Sequence, residues 1–324
     1  MMQASVVVAT GFGGPDVLRV VEQEVDEPGP GEILLEVRAA GVNPVDWKRY
    51  GGAMIRDPAA LPMRLGMEAA GVVVAVGPDA EGATGPVAIG DEVIAFRIEG
   101  AYADRVVIAA ASAVPKPPEV SFDLGAGLML AGATAIHALA AIDAREGDTI
   151  VVHAAAGAVG RIALQVARAR GIRVVGTAAS AHHDALRALG AEPVAYGDGL
   201  LERLRAAAPD GVDGAIDAAG TDEALDTSLA LVAARERIAT VANAARGLQE
   251  GVKVLGGAPG ADRGETIRAA ARLELAALAA QGAISLEITT YPLAEAAAAH
   301  RESMAGHPRG KLVLVPDPSN EPRS

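Results

Sequence analysis

TIVVHAAAGAVG, residues 149–160, is the stretch whose reading decides the fold. Thr149-Ile150-Val151-Val152-His153 is a short apolar run entered from the turn Glu146-Gly147-Asp148, and it reads as a buried strand. Small residues follow: Ala154, Ala155, Ala156, Gly157 and Ala158, then Val159 and Gly160. A helix pattern begins at once, with Val159, Ile162, Ala163 and Val166 on one face and Gly171 as its stop. Strand, tight turn and helix make an anion site, because the unpaired N–H groups of the first helical turn and the positive end of the helix dipole face whatever lies over the turn. Ala154 stands where the first glycine of a G-x-G-x-x-G fingerprint often sits, so the turn alone also fits any α/β protein.

The flanking chain narrows the choice. A strand at Ile172–Gly176 completes a βαβ unit. Helices at about Ser180–Leu189, Leu200–Ala208 and Asp222–Ala234 then alternate with strands near Pro193–Tyr196, Val212–Asp217, Arg237–Ala242 and Val252–Leu255. Repeated βα units of this length imply α/β architecture with a doubly wound parallel sheet. Residues 1 to about 122 differ. Strand-like runs at Ser5–Ala9, Ile33–Ala39, Val72–Val76, Glu92–Phe96 and Arg105–Ile108 are separated by Gly/Pro turns, so this part reads as mostly β. Pro115, Pro117 and Pro118 mark a boundary near 122. After about 258 the pattern becomes helix Thr266–Ala280, strand Ile284–Thr290, helix Leu293–Met304 and strand Lys311–Val315. The tail from Pro316 to Ser324 reads as loose.

With 324 residues the chain can hold two cores, and with aromatics at only 2% these are built from Ala, Val, Leu and Ile. A net charge of −13 argues against nucleic acid or an anionic membrane as a partner. The chain has no cysteine, which excludes disulfides, thiol nucleophiles and thiolate metal sites. MMQASVVVAT lacks the basic segment and long apolar core of a signal peptide, and the expected location is the cytoplasm. Leu124–Ile142 carries no Asp, Glu, Lys or Arg and is long enough to span a bilayer, but its Ala/Gly content, with Gly125, Gly127 and Gly132, reads as a buried helix.

Five motifs occur in order: GVNPVDWK (Gly41–Lys48), GMEAAGVVVAVG (Gly66–Gly77), GDEVIAF (Gly90–Phe96), HAAAGAVG (His153–Gly160) and RGKLVLV (Arg309–Val315). Together they resemble the medium-chain dehydrogenase/reductases, specifically the zinc-free quinone oxidoreductase branch. The resemblance covers residues 5 to 315. It implies a GroES-like catalytic domain of residues 1–122 with 259–324, and a Rossmann NADP-binding domain of residues 123–258. Zinc members carry Cys at the position of Asn43 and His-Glu at Met67-Glu68, so the resemblance implies no metal here. The six histidines (His137, His153, His182, His183, His300, His307) are scattered along the chain.

NAD-preferring sites place a carboxylate roughly 20 residues after the glycines. Here Val174 to Ser180 contains none before Asp184, which removes the repulsion a 2′-phosphate would meet and points to NADPH. The resemblance implies cofactor contacts at Asn43, Thr134 and Tyr196, and the expected cofactor-binding set adds Ala156, Gly157, Ala158, Val159, Ser180, His183 and Lys311. Plain alternatives stay open: an N-cap for Ser180, a strand-end aromatic for Tyr196, a buried helix hydroxyl for Thr134.

Hydride transfer needs the nicotinamide and an electrophilic carbon held close, with a donor aimed at the oxygen that gains charge. The loop Asn43–Tyr50 offers Asn43, Lys48 and Tyr50 as catalytic candidates and Asp46 as an orienter; the plain alternative for Lys48 is a solvated turn. The function implied is zinc-independent reduction of a quinone or an α,β-unsaturated carbonyl by NADPH. An enoyl-thioester reductase and a non-catalytic NADPH-binding sensor remain alternatives. Val252–Gly256, read as an open sheet edge, predicts a homodimer.

Overall fold

The computed structural model describes residues 2–52, 54, 56–306 and 310–317. The expectations for His307, for Arg309 and for the tail from 318 onwards lie outside the described residues. The chain divides into two compact units, residues 1–130 with 287–324 and residues 131–286.

In the second unit six parallel strands lie in the order Glu192–Val194, Arg173–Thr177, Thr149–His153, Gly214–Asp217, Ile238–Thr240, Lys253–Val254. This is the doubly wound order, with its switch point between Thr149–His153 and Gly214–Asp217. Helices Ala158–Ala169, His183–Ala188, Leu200–Ala207, Asp222–Leu231 and Ala244–Glu250 connect the strands. Strands covered on both faces need continuous apolar runs rather than alternation. Val151, Val175, Ala215 and Ile238 accordingly pack with Leu200, Leu204 and Leu225 in one buried cluster.

The helix Ala244–Glu250 is not legible as a helix in the sequence, because Gly247 interrupts it. That glycine is there for packing: a Cβ on it would come 2.6 Å from Thr240 Cγ2 and 2.8 Å from Val254 Cγ2. Residues 259–286, expected with the β unit, pack here instead. On the helix Glu265–Ala280, Leu275 lies so close to Gly132 that a Cβ there would meet it at 2.6 Å. Ser285 N–H donates to Gln165 Oε1 at 2.8 Å, and Gln165 Nε2 donates to Ser285 O at 2.9 Å. The outermost strand is only Lys253–Val254, and its open side is partly taken: Asp262 N–H donates to Val254 O at 2.8 Å, and Gly256 N–H to Asp262 O at 2.9 Å. The open edge expected at 252–256 is therefore partly closed.

In the first unit a mostly antiparallel sheet runs Ala113–Pro115, Glu92–Phe96, Glu68–Val76, Glu32–Gly41, Lys311–Val315, Ile288–Pro292, with Arg105–Ala109 also on Glu32–Gly41. A smaller sheet joins Leu18–Val25, Met2–Ala9 and Met63–Arg64. Leu18–Val25 gives little sequence signal, because half of it is exposed, Arg19 as well as the alternate residues Val20, Glu22 and Glu24. Two registers matter for function. Val313 pairs with Gly41 and Leu314 with Ala40, so Lys311 falls opposite Asn43. Ala40 pairs with Ala69, so Glu68 falls opposite Gly41. The long helix Phe122–Ala141 starts in this unit. It is apolar and long enough to cross a membrane, yet 78% of its most apolar window is buried inside the protein.

Gly160 fixes the strand–turn–helix of the second unit. A Cβ there would lie 2.5 Å from Ala154 O and 2.6 Å from Ala155 Cα, and both are backbone. Gly160→Val is expected to cost on the order of 1–3 kcal/mol through overpacking. Denaturant unfolding of the variant against the parent measures it.

Candidate functional site

The turn after Thr149–His153 carries Ala154 at φ 54°, a left-handed conformation that non-glycine residues seldom adopt. Arg161 Nε donates to Ala156 O at 2.9 Å and holds the turn against its helix. Gly157 is the N-cap of Ala158–Ala169, and being glycine it supplies no side-chain cap to the first-turn N–H groups. Ala156, Gly157, Ala158 and Val159 thus form a cradle of small residues beneath free backbone donors. Small residues at a helix start suit a diphosphate chemically, since backbone N–H groups and the positive end of the helix dipole favour an anion there.

Around this cradle the other expected residues fall as follows. The strand Arg173–Thr177 ends in Ala178-Ala179 with no carboxylate. Ser180 is exposed and opens a single 3₁₀ turn capped by Ala179, so the N-cap alternative does not hold. His183 Nε2 donates to Ala178 O at 3.2 Å. Tyr196 lies two residues beyond the strand Glu192–Val194 and is 54% exposed. Arg203 secures its loop, with Nε on Ala195 O at 3.0 Å, Nη2 on Gly197 O at 2.9 Å and Nη1 on Asp198 O at 2.6 Å. The loops bearing Ser180, His183 and Tyr196 leave adjacent strands, Thr177 pairing with Val194. Thr134 lies elsewhere in this unit and its hydroxyl is engaged: Arg268 Nη1 donates to it at 3.0 Å, Arg268 Nε to His137 Nδ1 at 3.2 Å, and His137 Nε2 to Asp262 Oδ2 at 3.0 Å.

Sequence reasoning missed a buried pair at the switch point, where His153 is the register partner of Asp217. Asp217 accepts from Ala219 N at 2.9 Å, Gly220 N at 2.8 Å and Thr240 Oγ1 at 2.7 Å, which pins the loop after its strand. Burial pushes His153 down to about 4. Ser228 gives its proton to Ala224 O, so His153 Nε2 donates to Ser228 and Nδ1 accepts from Thr177.

The first unit holds a second polar set. Asn43–Tyr50, expected as a loop, is a short helix Pro44–Tyr50 with Asn43 at the N-cap. Its sequence N-P-x-D carries the signal: a capping residue, proline at the first helical position and an acid at the third. Asp46 Oδ2 accepts from Asn43 N at 2.9 Å. The Asn43 side chain is occupied elsewhere: Nδ2 donates to Glu68 Oε1 at 2.9 Å and to Gly41 O at 3.3 Å, while Oδ1 accepts from Lys311 Nζ. Lys311 Nζ also reaches Glu68 Oε1 at 2.9 Å, and Glu68 Oε2 accepts from Leu130 N at 2.7 Å. Tyr102 O–H donates to Asp46 Oδ2 at 2.9 Å, His300 Nε2 lies 3.1 Å from Tyr102 Oη, and His300 Nδ1 lies 2.8 Å from Tyr50 Oη. All seven residues are at least 97% buried. The helix places Lys48 apart from them, exposed, with its ammonium 5.6 Å from the Trp47 ring centroid. Asn43, Tyr50 and Lys311 are therefore gathered and Lys48 is not. Among the described residues no three His, Asp or Glu side chains converge as a metal set.

Two family models match the chain: an alcohol dehydrogenase GroES-like domain over residues 29–118 and a zinc-binding dehydrogenase domain over 158–268. The quinone oxidoreductase of Pseudomonas aeruginosa is 35% identical over 94% of this chain and 97% of its own length. The chain belongs to the zinc-independent branch of the medium-chain dehydrogenase/reductase superfamily. Its solved neighbours agree. The Escherichia coli quinone oxidoreductase, solved in complex with NADPH, superposes with TM-score 0.84 at 28% identity, covering 96% of this chain and 100% of that one. The Coxiella burnetii quinone oxidoreductase does so with TM-score 0.81 at 29% identity, covering 97% and 99%. In this branch-wide frame the fold is a GroES-like unit plus a Rossmann unit, as the motifs implied.

Burial of His300 and Asp46 gives the first unit opposed acid responses. His300 is pushed from 6.5 down to about 4 in the fold, so the unfolded chain takes up that proton first, and stability is lost as pH falls from 6.5 towards 4. Asp46 is raised from 3.8 to about 6, chiefly by burial, so the folded chain takes up its proton first, and stability is gained as pH falls through 6. Each slope is on the order of 1.4 kcal/mol per pH unit where it is fully developed. Asp46→Asn removes the compensating one. Urea unfolding at pH 7.5, 6 and 5 should show the variant losing stability with acid more steeply than the parent.

Proposed function

We propose that this protein is an NADPH-dependent, metal-independent reductase of quinones or α,β-unsaturated carbonyls. The observation that carries the reading is the strand end Thr177-Ala178-Ala179-Ser180. It holds no carboxylate, and its neighbouring loop, whose carbonyls at Ala195 and Gly197 accept from Arg203, presents an exposed Tyr196. The NADPH bound by the Escherichia coli relative supports it. Ala156, Gly157, Ala158 and Val159 would hold the diphosphate, and Ser180, His183 and Tyr196 the 2′-phosphate. The dihydronicotinamide supplies a hydride when bound.

The chain's own residues supply charge and geometry. Lys311 carries three N–H groups and, among the described residues, uses two, on Asn43 and Glu68. The third can donate to an oxygen that gains negative charge, the kind of interaction that stabilises a transition state more than the bound substrate. Asn43, with both amide hydrogens committed, orients that ammonium rather than acting as a donor itself. Lys48 is left to the surface.

NADPH oxidation with benzoquinones and simple enones, before and after prolonged chelation, tests the reading. Turnover that survives the chelator is expected. Binding of NADPH without turnover on any acceptor would instead favour the sensor. Turnover confined to enoyl thioesters would favour that alternative. By calorimetry NADPH should bind more tightly than NADH. Ser180→Asp should weaken NADPH by about tenfold to a hundredfold, the cost of setting a carboxylate against a phosphate. Equal or tighter NADH binding in the parent would remove the assignment.

A homodimer remains part of the proposal. Because Asp262 closes part of the sheet edge, the contact has to rest on exposed apolar side chains such as Leu248, which is 51% exposed, rather than on open backbone alone. Light scattering at micromolar concentration should give the mass of two chains, and a single-chain mass would contradict it.

A further inference from the structure

His300 has no role in the reductase reading, yet it sits at the centre of the buried polar set. It lies on the helix Ala296–Met304, is fully buried, stacks on Tyr50 with ring centroids 5.6 Å apart and meets Tyr102 edge-on at 5.6 Å. Its two nitrogens contact the two hydroxyls, Nδ1 with Tyr50 at 2.8 Å and Nε2 with Tyr102 at 3.1 Å.

Proton counting gives this chain a direction. Asp46 Oδ2 accepts both Asn43 N–H and Tyr102 O–H, each at 2.9 Å. Tyr102 has one proton and gives it to Asp46, so its oxygen must accept from His300 Nε2–H. His300 is neutral, since burial holds it at about 4, so its Nδ1 is bare and accepts the Tyr50 proton. Every group from Tyr50 to Asp46 then uses its proton once, pointing towards the carboxylate. The reverse order needs a protonated Asp46 and leaves the Tyr50 O–H, itself 1% exposed, without an acceptor among the described residues. A buried hydroxyl without a partner is disfavoured.

We propose that His300 is a positioning residue whose two nitrogens fix the direction of the chain Tyr50–His300–Tyr102–Asp46. Asp46 is thereby kept as the ionised acceptor that pins Asn43, and with it the Lys311 ammonium. The inference rests on the reductase reading for its effect on turnover, but not for its effect on Asp46. The charged and titratable groups that act on Asp46 are Lys311, Glu68, Tyr50 and Tyr102, and Arg301 acts on Tyr50. Burial raises Asp46 to about 6, with the Tyr102 hydroxyl opposing the rise. Loss of that hydroxyl, or of the imidazole that orients it, should raise Asp46 further.

The test uses the full chain carrying Tyr102→Phe, His300→Phe or His300→Gln, with two readouts. One is the pH profile of kcat/KM. The other is the carboxyl titration of Asp46 by carbon-13 NMR, assigned by its loss in Asp46→Asn. In the parent both midpoints should fall near 6, the value burial gives Asp46. Tyr102→Phe should move both upwards by about one unit, and His300→Phe by about half a unit, the size expected for losing one hydrogen bond to a carboxylate. His300→Gln, whose amide can donate to one tyrosine and accept from the other, should restore both. An unmoved midpoint in either His300→Phe or Tyr102→Phe overturns the proposal while leaving the reductase reading intact. Absence of turnover in the parent overturns the reductase reading, and the carboxyl titration then decides the proposal alone. If His300→Phe does not fold, His300→Leu takes its place with the same expected shift and the same overturning result.

Discussion

The first unit depends on the buried contact of the Lys311 ammonium with Glu68 and Asn43. Taking both charges out of water is costly, and their mutual attraction offsets the loss only where the remaining polar atoms are also satisfied. Here all but one Lys311 N–H are: Glu68 Oε2 takes the Leu130 N–H, and both hydrogens of the Asn43 amide have acceptors. The sheet makes the contact possible. Gly41 must be glycine, because a Cβ would lie 2.3 Å from Ala126 O and 2.5 Å from Glu68 Oε1. Removing one member of such a group leaves the others buried and unpaired, so the cluster stands or falls as a unit.

The hydrogen-bonded chain from Tyr50 to Asp46 extends this constraint across the unit. Asp46 ties the start of the helix Pro44–Tyr50 to Tyr102, and His300 ties its end to the helix Ala296–Met304. One atom is left over, since Asp46 Oδ1 has no hydrogen-bond partner among the described residues. An unpaired oxygen on a fully buried carboxyl agrees with the raised value of that group. The second unit shows related economy. Asp217 uses both oxygens on backbone and hydroxyl donors and so shapes the loops at the switch point, where a doubly wound sheet binds its ligand.

The sequence by itself determined the elements whose pattern is local. Glu92–Phe96 and Lys311–Val315 read as strands from end to end, and TIVVHAAAGAVG read as strand, turn and helix, because burial of a whole face leaves a periodic trace. It also determined that no cysteine chemistry is possible and that no carboxylate follows Val175 before Asp184. Other elements leave no such trace for local reasons: Pro44–Tyr50, Met63–Arg64 and Ala113–Pro115 are short, Leu18–Val25 is an exposed strand, and Ala244–Glu250 contains a glycine. Only the tertiary structure decided which polar residues meet. Tyr102 and His300 are 198 positions apart and Asn43 and Lys311 are 268 apart. Their meeting depends on the antiparallel register of Lys311–Val315 against Glu32–Gly41 and on the seat of one late helix. No window of sequence contains that information, because a register is set by the summed packing of both strands and not by either one.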